Sequence, residues 1–293
     1  MYTIPHQAPR HLATAAHDAA AVRHLARPGG TIAFEDAGDG PPVVMLPGLG
    51  DLRQQYRFLA PDIGAAGYRA VSADLRGHGA SSTGWSDYGS EAAGGDLIAL
   101  IEALGADPAV VIGTSFGAAP AVYAAAERPD LVAGLVLIGP FVRRQHLPAL
   151  MRGALRLMTA GPWKVRAWGA FYDTLYPSAK PADHHEHRRA LLANLAEPGR
   201  FDALRGMMFR DDTAIEARLA AVRAPTLVVM GTKDPDFPDP AAEARAVADA
   251  VSGEVAMIDG AGHYPHVEMP EATNATIARF VRAAHGDAPH AAR

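Results

Sequence analysis

The chain reads as an α/β protein: a mostly parallel sheet flanked by helices, with a helical insertion late in the alternation. Three observations predict this. Short apolar runs at 43–46, 109–112, 135–138, 226–230 and 254–258 alternate with stretches of helical periodicity, and strands apolar on both faces belong in parallel sheets covered by helices on each side. Residues 141–214 break that alternation, carrying Leu, Met and aromatic residues among charges and no strand pattern, which reads as a helical insertion. A glycine-flanked serine, Ser115, sits where one apolar run gives way to the small-residue stretch 118–126, the pattern of a strand turning sharply into a helix.

Taken in order, 31–35 and 43–46 read as strands joined by Gly38-Asp39-Gly40-Pro41-Pro42, whose turn chemistry predicts a hairpin. A helical stretch around 56–63, a strand at 68–73 and a loop at 74–82 follow. Leu97, Leu100, Ile101 and Leu104 mark a helix that Gly105 and Pro108 end before the strand at 109–112. The expected organisation is an N-terminal extension (1–30) with room for one amphipathic helix, a discontinuous core (31–140 and 215–282), a helical cap (141–214) and a C-terminal tail (283–293).

Composition narrows the function. The 293 residues carry a formal net charge of −5 with both signs interspersed, which favours neither nucleic acid nor an anionic membrane surface as partner. With no cysteine, disulfides and cysteine-based catalysis or metal sites are excluded. The alanine-rich stretch 12–22 is interrupted by His17 and Asp18, too polar for a secretory core, and no apolar run reaches the length of a membrane span. A cytoplasmic protein acting on a small molecule is the expectation.

Gly113-Thr114-Ser115-Phe116-Gly117 alone is weak, since such a pentapeptide arises by chance in about one glycine-rich chain in ten. Its flanks make Ser115 a candidate nucleophile held at a helix N-terminus, where free N–H groups favour developing negative charge. A serine hydroxyl needs a base, and His263 follows the run 254–258 through a glycine loop. Gly262 would let its backbone approach the serine, whereas Pro265 stiffens the approach of the competitor His266. The base needs an orienting carboxylate, and Asp234 follows the run 226–230, with Asp236 an alternative in the same loop. Phe116 N–H and Leu49 N–H, in the loop Pro47-Gly48-Leu49-Gly50-Asp51, are the candidate oxyanion donors. Trp163, Trp168 and Phe171 are candidate substrate-lining residues.

These pieces resemble the α/β-hydrolase superfamily, over roughly residues 30–282. The order Ser115, Asp234, His263 is the order that family uses. The segments Asp74-Leu75-Arg76-Gly77-His78-Gly79-Ala80-Ser81, Gly231-Thr232-Lys233-Asp234-Pro235 and Gly262-His263-Tyr264-Pro265-His266-Val267-Glu268 are similar to its early-strand, acid and histidine loops. Pro47-Gly48 stands where many members have His-Gly. A serine nucleophile sets the chain apart from the dehalogenase and epoxide-hydrolase branches. The resemblance implies a cofactor-independent serine hydrolase, foremost a carboxylic ester hydrolase for a small apolar ester. Carbon–carbon bond hydrolysis, lactone opening, amide hydrolysis, acyl transfer and perhydrolysis use the same triad, and a ligand-binding receptor on this fold is the non-enzymatic reading. A neutral imidazole base predicts activity falling on the acid side of about pH 6 to 7.

Two other signals are set aside. Asp183-His184-His185-Glu186-His187 lacks metal-ligand spacing and reads as a solvated helix. No dinucleotide or phosphate-loop pattern occurs, so neither metal nor cofactor is implied. Arg76 and His78 are expected to organise their own loop.

Overall fold

The computed structural model describes residues 2–4, 21–105, 108–144, 149–211 and 213–286, and for 2–4 the backbone pairing only. In chain order the strands are β1 (Tyr2–Ile4), β2 (Arg23–Arg27), β3 (Gly30–Ala37), β4 (Pro42–Leu46), β5 (Arg69–Ala73), β6 (Ala109–Thr114), β7 (Val132–Ile138), β8 (Thr226–Gly231) and β9 (Glu254–Ile258). They form one sheet in the order β1-β9-β8-β7-β6-β4-β5-β3-β2. All neighbours from β1 to β5 are parallel, and β3 and β2 close one edge antiparallel.

Alternation within the strands produces two core layers. Val44, Val111, Leu135, Leu137, Val228 and Met230 face one side, against helices α2 (Ser90–Leu104), α3 (Ala118–Glu127) and α9 (Pro240–Val251). Val43, Met45, Ile112, Val136, Val229 and Ile258 face the other, against α1 (Leu59–Ala65) and α11 (Pro270–Ala284), which follows the single turn α10 (Pro265–Glu268). Burial on both faces is the reason these strands read as unbroken apolar runs.

The hairpin expected between β3 and β4 is not formed. Fully buried, β4 pairs in parallel with β5 and β6, and β5 lies between it and β3. The glycines that suggested a tight turn instead let the connection cross the start of β5. A Cβ on Gly40 would stand 2.0 Å from the Gly67 carbonyl oxygen, and one on Gly38 2.9 Å from that of Tyr68. The hairpin lies one strand earlier, where Arg27 opposes Gly30 across Pro28-Gly29. Residues 1–30, expected as an extension, thus contribute β1 and β2 to the sheet. The expected amphipathic helix falls mainly on 5–20, outside the described residues, as does the tail beyond 286.

Between β7 and β8 the chain inserts α4 (Ala149–Met158), α5 (Lys164–Thr174), α6 (His184–Leu195), α7 (Arg200–Met208) and α8 (Thr213–Arg218). Trp168, Tyr172, Leu191, Leu195, Phe201 and Leu204 build a separate apolar cluster with Tyr264 and Val267 of the β9 side. The insertion is therefore docked on the loops at the carboxyl edge of the sheet. Arg57 forks onto Asp183 with bonds of 2.5 and 2.8 Å, and the Asn194 amide closes two bonds on Gly79.

The sharpest constraint is at the end of β6. Ser115 has φ 54°, a left-handed conformation costly for a side-chain-bearing residue. A Cβ on Gly113 would lie 2.4 Å from the Gly117 carbonyl oxygen, and one on Gly117 2.4 Å from that of Leu46. Backbone stands on backbone, so neither neighbour can yield. Gly117→Ala is expected to destabilise the protein by about 1–3 kcal/mol, the usual cost of overpacking, measured as a lowered urea midpoint with an unchanged slope.

Candidate active site

In this topology the carboxyl ends of β4, β6, β8 and β9 lie on one edge of the sheet, where the loops of parallel α/β proteins gather functional groups. β6 is followed directly by Ser115, which is 7% exposed. The Phe141 N–H, past the end of β7, donates to the Ser115 carbonyl at 3.3 Å. The ring of Phe141 packs edge-on against the His263 imidazole, with centroids 5.9 Å apart. One residue thus ties the serine turn to the histidine loop.

His263 is buried, and its Nδ1 meets Asp234 Oδ2 at 2.7 Å. Asp236 does not share that bond. Its backbone N–H caps Asp234 Oδ1 at 3.0 Å, while its side chain turns to the opposite edge of the ring, with Oδ2 3.6 Å from His263 Nε2. That nitrogen makes no hydrogen bond, so the Ser115 hydroxyl is not bonded to it in this state. Burial alone would lower the His263 pKa, but the charges of Asp234 and Asp236 and the Asp234 hydrogen bond outweigh it and raise the group to about 9. His266 lies elsewhere. It is fully buried and stacked on Tyr56 at 5.3 Å, and burial, reinforced by the charges of Arg57 and His263, holds its pKa down to about 3 against the opposing charge of Asp51.

Glycines at the strand ends allow these loops to meet. A Cβ on Gly231 would reach 2.1 Å from the Gly262 carbonyl oxygen. Gly262 was expected to let His263 approach the serine, yet the crowding there comes from the insertion: a Cβ would stand 2.3 Å from Pro177 Cδ and 2.4 Å from the Leu175 carbonyl oxygen. The same Leu175 carbonyl accepts the His263 N–H at 3.0 Å. Glu268 clamps both partners, accepting from Gly262 N–H at 2.6 Å and from Ser178 and Ala179 N–H at 2.8 Å.

The loop carrying Leu49 abuts the serine. A Cβ on Gly48 would lie 3.3 Å from Ser115 Cβ, and Phe116, next to the serine, is buried at the opening turn of α3. Asp51 anchors this loop from fully buried surroundings. Its Oδ1 meets His187 Nε2 at 2.6 Å and accepts Leu52 N–H at 2.8 Å, while Oδ2 accepts from Gln55 at 2.7 Å and from the Tyr172 hydroxyl at 3.2 Å. Burial pushes this carboxyl up, but the charge and hydrogen bond of His187, with smaller help from Leu52 N–H and Arg57, hold it below its ordinary value.

Of the expected lining residues, Trp168 and Phe171 pack together at 5.2 Å, and Trp168 crowds the Leu49 loop so closely that a Cβ on Gly50 would lie 2.7 Å from its Nε1. Trp163 does not join them. It is 47% exposed, and its indole N–H donates to the Leu157 carbonyl within the insertion. The segment 183–187 is not the solvated helix face expected, because His184 and His187 are buried. It is not a ligand cluster either: Asp183 goes to Arg57, His184 to Asp173 and His187 to Asp51. Arg76 holds its loop through Asp96, Asp87 and Ala92, with His78 bonded to the Arg76 carbonyl.

The profile of the alpha/beta hydrolase family matches residues 43–276. The chain belongs to that family. As an α/β hydrolase it is 31% identical over 272 residues to Mycobacterium tuberculosis BpoC, whose name assigns it provisionally to the non-heme bromoperoxidases, with 85% of this chain and 97% of that protein covered. Among solved structures, a thermophilic esterase from Thermogutta terrifontis is similar at 27% identity and TM-score 0.72, covering 91% of this chain and all (100%) of that one. The esterase RhEst1 from Rhodococcus sp. ECU1013 is similar at 25% identity and TM-score 0.76, with coverages of 89% and 98%.

Sequence reasoning assigned no role to Asp51, His187 or Glu268, although each lies in a segment singled out above. An aspartate ending a glycine-rich loop of buried character was the one available signal. His187→Ala, which strands the buried Asp51 charge, is expected to cost about 3–5 kcal/mol of stability, and a double-mutant cycle with Asp51→Asn should show coupling above about 1 kcal/mol by urea denaturation.

Proposed function

We propose that the protein is a serine carboxylesterase acting on small, predominantly apolar esters, with Ser115 as nucleophile, His263 as general base and Asp234 as the acid that orients it. The observation that carries this reading is the pairing of His263 with Asp234 on loops at the same edge of the sheet as a serine held at φ 54° at the end of β6. Neutral His263 takes the Ser115 proton as the hydroxyl oxygen attacks the ester carbonyl. The oxyanion is held by the Phe116 and Leu49 amides, and Asp234 steadies the imidazolium. His263 then returns the proton to the leaving alcohol, and water, activated by the same base, releases the acid from Ser115. The helical insertion acts as the cap, and Trp168 and Phe171 supply apolar surface beside the Leu49 loop. The esterase names of the Thermogutta and Rhodococcus relatives support this chemistry.

The two carboxylates alter the expected pH dependence. The base must be neutral to act, and with its pKa raised to about 9 it is protonated in the resting enzyme at neutral pH. For an uncharged p-nitrophenyl ester, kcat/KM is expected to climb with pH up to about 9 instead of levelling off near 7. Ser115→Ala should lose at least about a thousandfold in kcat and no longer react with a fluorophosphonate. A folded variant that retains wild-type turnover rules out Ser115 as nucleophile.

A further inference from the structure

The side chain of Asp236 enters the chemistry above only through its charge, and its Oδ2 stands 3.6 Å from His263 Nε2, the nitrogen that must serve the Ser115 hydroxyl. Asp234 already satisfies Nδ1, so Asp236 is a second counter-ion on the reactive edge of the ring. Among the described residues, His263 is the only chargeable cation within ion-pair distance of it. Lys233, its near neighbour in sequence, turns away to Ser178. Aromatic rings flank the imidazole: Phe141 and Phe237, 4.9 Å apart, with centroids 5.9 and 6.4 Å from the ring, and Tyr264 at 4.9 Å. Tyr264 is held well above its usual pKa by burial and by nearby acids, and His266 is held neutral by burial, so neither adds charge here.

A carboxylate beside aromatic faces is a binding place for an organic cation, since the rings attract the charge and the carboxylate pairs with it. We propose that Asp236 determines specificity by charge: it selects esters bearing an ammonium group close to the scissile carbonyl and excludes those bearing a carboxylate. In the resting enzyme the imidazolium is the partner of Asp236 and is drawn from Ser115. An arriving ammonium takes over the carboxylate, the His263 proton passes to bulk water, and the neutral imidazole becomes the base. Binding and activation of the base are thus one exchange of counter-ions. Burial pushes the Asp236 carboxyl up, the His263 charge opposes this, and the nearby Asp234 charge adds to it, so that a partner cation stabilises its ionised form.

The inference rests on the esterase reading, and the test separates the two. Three p-nitrophenyl esters of equal chain length, ending in trimethylammonium, tert-butyl and carboxylate, are assayed with wild type and Asp236→Asn across neutral to alkaline pH. Wild type is expected to favour the ammonium ester over its tert-butyl isostere by about tenfold or more in kcat/KM and to turn over the carboxylate ester least. Asp236→Asn should bring the three esters within about threefold of each other and shift the acid limb for the tert-butyl ester downward by about one pH unit or more. Fluorophosphonate labelling of Ser115 runs alongside. Wild type that labels and hydrolyses esters without charge preference overturns the Asp236 proposal alone, as does a folded Asp236→Asn that keeps the preference. Absence of both labelling and turnover overturns the esterase reading and this inference with it. The wild-type series needs no variant, so a misfolded Asp236→Asn leaves the test intact.

Discussion

The site depends on backbone resting directly on backbone at the end of β6. Gly113 faces the Gly117 carbonyl and Gly117 faces that of Leu46, so the chain leaves the sheet on a path that a Cβ at either position would block. The cost is a serine at positive φ, about 1–3 kcal/mol for such a conformation. The surrounding parallel strands, buried on both faces, absorb that strain. A β6 exposed on one side could slip or flatten; held between β4 and β7, it cannot.

The same edge recruits the insertion through polar contacts as well as apolar packing. Asp51 and His187 join the Leu49 loop to α6, and Leu175 and Glu268 join α5 and the segment after it to the histidine loop. Each is a buried donor or acceptor that loses its partner if the insertion moves, a substantial penalty in a region of low dielectric. The geometry of the serine turn, the histidine loop and the glycine loop is thus coupled to the position of helices that carry none of them. The insertion and the candidate site are held by one interlocked set of contacts.

Much of this was legible in the chain. Strands buried on both faces announce themselves as apolar runs, and β6, β8 and β9 fall where those runs lie because both faces are covered by helices. The serine turn, the histidine after β9 and the acid after β8 were readable because glycines and strand ends constrain what can stand there. The β3–β4 hairpin was misread for a definite reason: Gly38 and Gly40 serve equally to close a tight turn or to cross another strand, and only the presence of β5 beneath them distinguishes the two. His184 and His187 looked solvated because the charged composition of α6 conceals that their partners, Asp173 and Asp51, come from other elements.

By itself, then, the sequence determined the fold class, the order of strands and helices along the chain, and which residue types occupy the carboxyl edge of the sheet, because these follow from local periodicity and backbone stereochemistry. Only the tertiary structure decided which of two aspartates in one loop takes His263 Nδ1 and which faces Nε2. Asp234 and Asp236 differ by two positions in a turn, and no local rule orients their side chains. The imidazole, brought from 29 residues beyond Asp234 in the chain, gives each carboxylate its separate place.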